Sequence, residues 1–282
     1  MNQPPLPAAE VAMTPAAAEL HSAASVLAPG ADCAIDLTVF VSCYNEAPYI
    51  VRTLDTLRSA LAELKFSYEI IVIDDCSKDN SADLVADYIR ANPSERLLLR
   101  RNKFNIGWAQ NYIDGAFIGK GKYYRIVCGD ASEPKDTMIK VFGEIGTADI
   151  IIPYYVTNAG RSWQRGFLSS AYVTLVNLIS GFRLHYYNGL PVHLRYNVMR
   201  WHSNTRGFGF QADIICLLAD QGFSFKEVPV KTVERRVSGS SNALTFKNML
   251  SVSHTLVDLL FRRIANWVYR QNADRSSREP HA

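Results

Sequence analysis

The sequence predicts an α/β fold: a mostly parallel central sheet with helices on both faces, plus a C-terminal amphipathic helix. Three observations carry this prediction. From Asp36 onward, short runs rich in Val, Ile and Leu alternate with stretches whose apolar residues recur at helical spacing. The strand-like runs are almost continuously apolar, as strands covered on both faces must be. Several of these runs also end in Asp, Tyr or Asn, and open α/β sheets bind ligands beyond the carboxyl ends of their strands.

The elements follow in order. LTVFVSCYN (37–45) reads as the first strand, rich in β-branched residues, and APYIVRTLDTLRSALAELK (47–65) as the first helix. YEIIVIDDCS (68–77) repeats the strand, its apolar centre running into two aspartates. DNSADLVADYIRANP (79–93) repeats the helix and is stopped by Pro93. RLLLRRNKFN (96–105) supplies a third strand with its exit loop. IGWAQNYIDGAFIGKG (106–121) supplies a third helix, closed by glycine. KYYRIVCGD (122–130) is a fourth strand, and ADIIIPYY (148–155) a further one. HYYNGLPVH (185–193) reads as a turn around Asn188-Gly189, with loop histidines at His185 and His193 whose hydrogen bonds are satisfied. Its Tyr pair, Tyr186 and Tyr187, is placed to line a substrate pocket.

Composition narrows the class. At 282 residues with 48% hydrophobic and 20% charged, the chain can bury a large core and reads as soluble and globular. A net charge of +3 argues against nucleic acid as a partner. The five cysteines, Cys33, Cys43, Cys76, Cys128 and Cys216, show no CxxC spacing, so a reduced, cytoplasmic protein is expected. Residues 1–34 form an Ala/Pro-rich stretch expected to be a flexible tail, with a short helix at 16–27, and they lack the pattern of a signal peptide. The main domain is expected over 35–243, a helical segment over 244–270 and a disordered tail over 271–282. No apolar run reaches the ~18–20 residues that span a bilayer, so no integral membrane segment is expected.

The polar residues collect on one predicted rim. Strand one ends in Ser42, Tyr44, Asn45 and Glu46, strand two in Asp74 and Asp75, and strand four in Asp130. Each aspartate taken singly could be no more than a helix N-cap. The set points to a shared ligand site. Neither GxGxxG nor GxxxxGK[ST] occurs, which removes the main support for dinucleotide and P-loop readings. An acidic rim repels a bare phosphate but suits a nucleoside, with a cation bridging any diphosphate.

The motifs FVSCYNEAPYI, IIVIDDCSKDNSADL, NKFNIGWAQNYIDGA, VCGDASEP and EVPVKTVERRVSGSS, in this order over roughly 37–242, resemble the family 2 glycosyltransferases of the GT-A fold. The later segments look most like the polyprenyl-phosphate sugar synthase branch, which includes dolichol-phosphate mannose synthases. The resemblance implies an inverting glycosyltransferase that moves a sugar from a UDP- or GDP-sugar to a polyprenyl-phosphate or lipid-linked glycan acceptor in cell-envelope glycan synthesis. Ser42, Tyr44, Glu46, Asp74, Asp75, Asn105 and Gly107 fall at its nucleotide-binding positions, Asp75 at the acceptor of the base imide N–H. Asp74 could instead orient the loop. Asp130 matches the metal position, for Mg²⁺ or Mn²⁺, although the usual D-x-D reads Asp130-Ala131-Ser132 here. Glu133 is a second charge for that metal, or a solvated residue at a helix start.

For the diphosphate and acceptor, the resemblance implies Arg161, Arg165, Ser169 and Arg236, with Arg235 a second choice and Gly239 supplying a turn. Asn242 stands where that motif usually has lysine. Asp213 aligns with an acidic position suited to a general base. It also reads as an N-terminal charge favoured by the helix dipole, and a lipid-phosphate acceptor would need no base. The apolar spacing of 245–270, with Arg262, Arg263 and Arg270, describes a helix that packs on its own domain or a subunit partner, or that lies on an anionic membrane leaflet. The inner face of the cell membrane and a homo-oligomer follow as open expectations. A nucleotidyltransferase would need a glycine- and lysine-rich loop that CYNEAPYI lacks. A catalytically silent nucleotide-sugar binder or scaffold is the rival reading.

Overall fold

The computed structural model describes residues 35–93, 96–156, 163–202, 209–231 and 246–276, without the side chains of 163–165, 246–251 and 270–276. The expected tail over 1–34, Arg161, the loop carrying Arg235, Arg236, Gly239 and Asn242, and residues 277–282 lie outside the described residues.

The strands are β1 (Leu37–Cys43), β2 (Tyr68–Asp74), β3 (Leu97–Arg101), β4 (Tyr123–Cys128), β5 (Ile150–Tyr155), β6 (Val192–Leu194) and β7 (Phe225–Val230). The helices are α1 (Ile50–Leu61), α2 (Ser81–Ala91), α3 (Trp108–Ile118), α4 (Lys135–Phe142), α5 (Trp163–Ser180), α6 (Arg195–Met199), α7 (Phe210–Asp220) and α8 (Phe246–Ser276). They build one seven-stranded sheet in the order β3-β2-β1-β4-β6-β5-β7. β3, β2, β1 and β4 run parallel, as does the β5–β7 pair, and only β6 is antiparallel to its neighbours. The expected mostly parallel sheet is therefore present.

Alternation along the strands creates two cores. Phe40, Ile71, Ile73, Tyr124 and Ile126 point to one face, against α3, α7 and Leu259 of α8. Val39, Val41, Ile70, Val72 and Val127 point to the other, against α1, α2 and α4. Each fully buried aliphatic side chain is worth about 1.5–3 kcal/mol relative to exposure. This two-sided burial fixes the register of the parallel strands and aligns their carboxyl ends.

Among the elements not foreseen are β6, β7 and α6, and α4 was expected only as a helix start beside Glu133. β6 is three residues long, too short to show a period, and its pairing with β4 and β5 is long-range. β7 contains Pro229 and lies at the sheet edge, where a missing N–H is tolerated. α4 follows the Asp130 loop. α8 continues to Ser276, past the expected end at 270.

The 185–193 stretch also differs from its reading. Gly189 has no positive φ; it is needed because a Cβ there would lie 1.8 Å from the carbonyl oxygen of Pro153. Tyr187 is buried in the core and donates to Asn177 Oδ1 at 2.7 Å, so it lines no pocket. His193 is a strand residue, fully buried, and among the described residues neither ring nitrogen has a hydrogen-bond partner. It is the opposite of a satisfied loop histidine.

Two outcomes are expected. Gly189→Ala should destabilise the fold by about 1–3 kcal/mol, read by thermal or denaturant unfolding, because backbone must move; unchanged stability would contradict the close approach. Burial pushes the His193 imidazole from 6.5 down to about 3, so the unfolded chain binds the extra proton between these values. The stability this contributes is complete above pH 6.5 and is lost as pH falls toward 3, on the order of a few kcal/mol. His193→Phe should flatten that part of the stability–pH profile. An unaltered slope would show that His193 is not its source.

Candidate functional site

The site begins where β1 and β2 end. Asn45 has φ 57°, a left-handed conformation that Asn tolerates better than most residues. Its N–H donates to Ser77 Oγ at 2.9 Å, and its Oδ1 accepts the Lys78 N–H at 2.7 Å. Glu46 N–H donates to Ser81 Oγ at 2.8 Å, and Ala47 N–H to Asp79 Oδ2 at 3.2 Å. Desolvation raises the Asp79 carboxyl, but the hydrogen bonds from Ser81 and Ala47 outweigh it and hold the group below its usual range. The β1–α1 and β2–α2 loops are thus stitched together. Tyr44, 43% exposed, projects from this frame. Burial, with Asp74 beside it, pushes the Cys43 thiol up to about 12, which leaves it chemically quiet.

The two aspartates of β2 have different surroundings. Asp74 is buried and accepts the Ser77 N–H at 3.1 Å, which holds the loop turn. Asp75, 6% exposed, accepts the Ile106 N–H and Asn102 Nδ2 on Oδ1, both at 2.9 Å, and the Gly107 N–H on Oδ2 at 3.0 Å. Gly107 has φ 91°, where a side chain would be strained, and it stands at the start of α3. Asn105 Nδ2 reaches the Asp75 carbonyl at 3.2 Å. Asn105 and Gly107 therefore hold Asp75. A carboxylate has about four acceptor positions, so three bonds leave one for an incoming N–H.

Asp130 lies at the end of β4, half-buried. Gly129 N–H donates to the Ser42 carbonyl at 3.0 Å, joining this loop to β1. Thr53 on α1 brackets the aspartate: its hydroxyl donates to the Gly129 carbonyl at 2.9 Å and accepts the Ala131 N–H at 3.0 Å. Asp130 Oδ1 accepts the Ser132 N–H at 3.1 Å. α4 starts only at Lys135, after Pro134, without a side-chain cap, so Asp130 does not cap it. Glu133 is neither solvated nor turned to Asp130. It pairs at 2.6 Å with Arg125, itself 1% exposed and bonded through Nε to the Leu190 carbonyl at 3.0 Å. Sequence reasoning placed Asn45 on the rim without giving it a role, and missed Asp79 and Thr53. Only Asn45, a residue type suited to a left-handed turn, carried a local signal.

A cavity of about 280 Å³ opens between α5 and the loop after it, lined by Tyr155, Ser169, Val173, Thr174, His185 and Tyr186. Ser169 therefore faces a binding space. Arg165 precedes it on α5 by four residues, hence on the same side of the helix, though its side chain lies outside the described residues. His185 stacks on Tyr154 at 4.5 Å, and its Nδ1 is 2.8 Å from Glu227 Oε2. Burial raises the pKa of Tyr155, with Glu133 adding to the effect.

Asp213, in the first turn of α7, is engaged on both oxygens. Trp201 Nε1 donates to Oδ2 at 2.8 Å, and Arg262 of α8 pairs with Oδ1. To act as a base it would have to give up a charged partner. Its position is that of a fastening between α7 and α8.

The model of glycosyl transferase family 2 matches residues 38–200. A dolichyl-phosphate beta-glucosyltransferase of Dictyostelium discoideum is 43% identical over 108 residues, 36% of this chain and 33% of the relative. An undecaprenyl-phosphate mannosyltransferase of Micrococcus luteus is 26% identical over 211 residues, 71% of this chain and 84% of the relative. The chain thus matches about a third of the first relative's length and most of the second's. Glucosyl-3-phosphoglycerate synthase from Mycobacterium tuberculosis, solved with Mn²⁺, UDP-glucose and phosphoglyceric acid, superimposes with a TM-score of 0.60 at 12% identity, covering 88% of this chain and 83% of that one. That likeness shows the fold, which is GT-A.

Asp75→Asn should reveal how far the rim depends on one carboxylate. The amide would aim a donor at a backbone N–H, costing about 1–3 kcal/mol of stability. Nucleoside diphosphate affinity should fall at least about tenfold in calorimetry. Wild-type melting and affinity together would refute this role.

Proposed function

Because the chain belongs to glycosyl transferase family 2, we propose that it transfers a sugar, with inversion, from a UDP- or GDP-sugar to a polyprenyl phosphate or lipid-linked glycan acceptor in cell-envelope glycan synthesis. The relatives named above, with dolichyl- and undecaprenyl-phosphate acceptors, support the acceptor class. Among the described residues no helix is long and apolar enough to cross a membrane, and the reading places the protein peripherally at the inner face of the cell membrane.

The observation that carries the acceptor is the state of Asp213. A hydroxyl acceptor needs a base, and this carboxylate is occupied by Trp201 and Arg262. A phosphate acceptor arrives ionised. Its oxygen attacks the anomeric carbon, the bond to the nucleoside diphosphate breaks, and no proton has to be removed.

The residues of the rim divide the remaining work. The exposed Tyr44 ring offers a face to the base, and the free acceptor position of Asp75 takes a base N–H. Ser42 and Glu46 belong to the same frame, and Asp74 keeps its loop in place. Asp130 would hold Mg²⁺ or Mn²⁺. Among the described residues no three ligating side chains converge, so the donor set is one carboxylate, the neighbouring Ser132 hydroxyl, substrate phosphates and water, which suits such a hard ion. When bound, the ion neutralises charge on the diphosphate leaving group. Arg161, Arg165 and Arg236 would add fixed cationic donors for the diphosphate and acceptor, and Ser169 a hydroxyl on the cavity wall.

The test is calorimetric titration with UDP and GDP, with and without Mn²⁺, on wild type and Asp130→Ala, followed by turnover with a short-chain polyprenyl phosphate. One nucleotide should bind, at least about tenfold more weakly without metal or in the variant. Nucleoside diphosphate should be released over many turnovers only when acceptor is present. Binding indifferent to metal and variant would remove Asp130 from the site. Binding without turnover would leave a nucleotide-sugar binder in place of an enzyme.

A further inference from the structure

We infer that His185, set in place by Glu227 and Tyr154, binds the phosphate of the acceptor in the cavity beside α5. The inference rests on the transfer reading for the identity of that phosphate, and on the following observations for the site. The His185 side chain is 66% exposed, yet it is held at its backbone, its ring edge and its ring face. Its backbone N–H donates to Glu227 Oε1 at 2.7 Å, its Nδ1 lies 2.8 Å from Glu227 Oε2, and its ring stacks on Tyr154 with the planes 16° apart. Exposed ion pairs contribute little to stability, because solvent screens them and the side chains lose freedom. An exposed imidazole fixed this firmly has instead what a binding group needs, which is a geometry set before the ligand arrives.

The contacts also decide which nitrogen is offered. A carboxylate only accepts, so Nδ1 carries a hydrogen and donates it to Glu227. Nε2 has no partner among the described residues. When protonated, the ring is a cation balanced from behind by Glu227, and its Nε2–H is a charge-assisted donor. Both Glu227 oxygens are engaged by His185 and the carboxylate is only 16% exposed, so it does not confront an incoming anion as a bare charge.

The cavity supplies the remaining contacts. Ser169, Ser170 and Thr174 of α5 line it with hydroxyl donors. Among the described lining residues there is no carboxylate or carboxamide, the groups best suited to accept from the hydroxyls of a sugar ring. Ionised phosphate oxygens accept, and a wall of hydroxyls with one imidazolium donates. Gly166 on the same wall lies in the first turn of α5, the end of a helix that favours an anion. Tyr155 and Tyr186, with ring centres 5.4 Å apart, give the cavity an apolar side for the first carbons of an isoprenoid chain.

This cavity adjoins the Asp130 loop. Arg125 joins Glu133 of that loop, at 2.6 Å, to the Leu190 carbonyl, at 3.0 Å, in the stretch that also carries His185 and Tyr186. Tyr155 is near enough to Glu133 and Cys128 for both to act on its hydroxyl. A phosphate in the cavity would lie beside a diphosphate held at Asp130, as attack on an anomeric carbon between them demands. His185 and Glu227 are additional to Arg165 and Ser169, and at a separation of 42 residues no local motif marks them as a pair.

The experiment titrates a short-chain polyprenyl phosphate, and separately inorganic phosphate, into the full chain while the ring ¹⁵N signals of its histidines are followed by NMR. Variants are His185→Phe, which keeps the stack but not the donor, Glu227→Gln, and as a control His254→Phe on α8, whose ring is exposed beside Asp258. Polyprenyl phosphate should shift the His185 Nε2 signal. Its dissociation constant should rise at least about tenfold in His185→Phe and at least about threefold in Glu227→Gln, and stay at wild type in the control. The nucleoside diphosphate that wild type binds should bind every variant equally, which shows that the variants fold. Unchanged polyprenyl phosphate affinity in His185→Phe, with no shift of Nε2 in wild type, would overturn the proposal. A parallel loss of nucleotide affinity would overturn it too, by moving His185 to the donor or to the fold. Binding of inorganic phosphate without polyprenyl phosphate would give the cavity to free phosphate, with the same result. Transfer assays separate the two readings. A wild type that binds polyprenyl phosphate through His185 but transfers no sugar sinks the transfer, and transfer with an unchanged acceptor KM in His185→Phe sinks only the His185 site.

Discussion

A carboxylate taken out of water must be surrounded by donors, and at the end of β2 that requirement draws separate parts of the chain together. Asp75 takes two backbone amides from the loop after β3 and one side-chain amide from Asn102, while its own N–H is held by the Cys43 carbonyl at the end of β1. Asn102 in turn reaches Asn111 on α3 at 2.7 Å. Three strand ends and the start of a helix are positioned around one charge. Removing a donor would leave a buried charge short of partners, which costs more than a typical hydrogen bond contributes. The remaining acceptor position is therefore presented with little freedom to move, as recognition of a planar base requires.

The Asp130 part of the same rim follows a different principle. Asp130 is positioned by backbone: the Gly129 N–H on β1, and the Thr53 hydroxyl bonded on both sides of the aspartate. A bound ion brings its own charge, and a site for it needs a carboxylate fixed in place more than a dense network. Glu133, the nearest further acid in sequence, is spent on the buried Arg125. An isolated buried guanidinium would be costly, so the pair is a condition of Arg125 being there. Proximity in sequence to the metal position did not make Glu133 a ligand. Asp213 makes the same point at the helix level. Its sequence position suits a base, but the spatial neighbour Arg262, forty-nine residues away, turns it into a fastening.

Much of the fold could be read directly from the chain because its signals are local. β1, β2 and the first half of β5 are nearly continuous buried apolar runs, and α1 to α3 have helical periodicity that two-sided burial of a parallel sheet demands. β6 escaped because three residues cannot display a period, and β7 because it is an edge strand with only two fully buried positions and a proline. His193 was misread for the same reason: nothing in PVH distinguishes a loop from the centre of a sheet. Gly189 looked like a turn signal, whereas its place depends on the Pro153 carbonyl of a different strand.

The sequence by itself determined the class of fold, the rim on which acidic and aromatic residues gather, and the motif order that marks the family. These follow from hydrophobic period, strand ends and short spacings, all set by neighbours in the chain. Only the tertiary structure decided how those residues divide their roles. It bound Asn105 and Gly107 to Asp75, gave Thr53 to Asp130, withdrew Glu133 and Asp213 into ion pairs, and sent Tyr186 to the cavity and Tyr187 to the core. It also turned the more apolar stripe of α8 outward. The physical reason is that a polar side chain's function depends on which donors and charges surround it, and here those partners come from elements far apart in sequence.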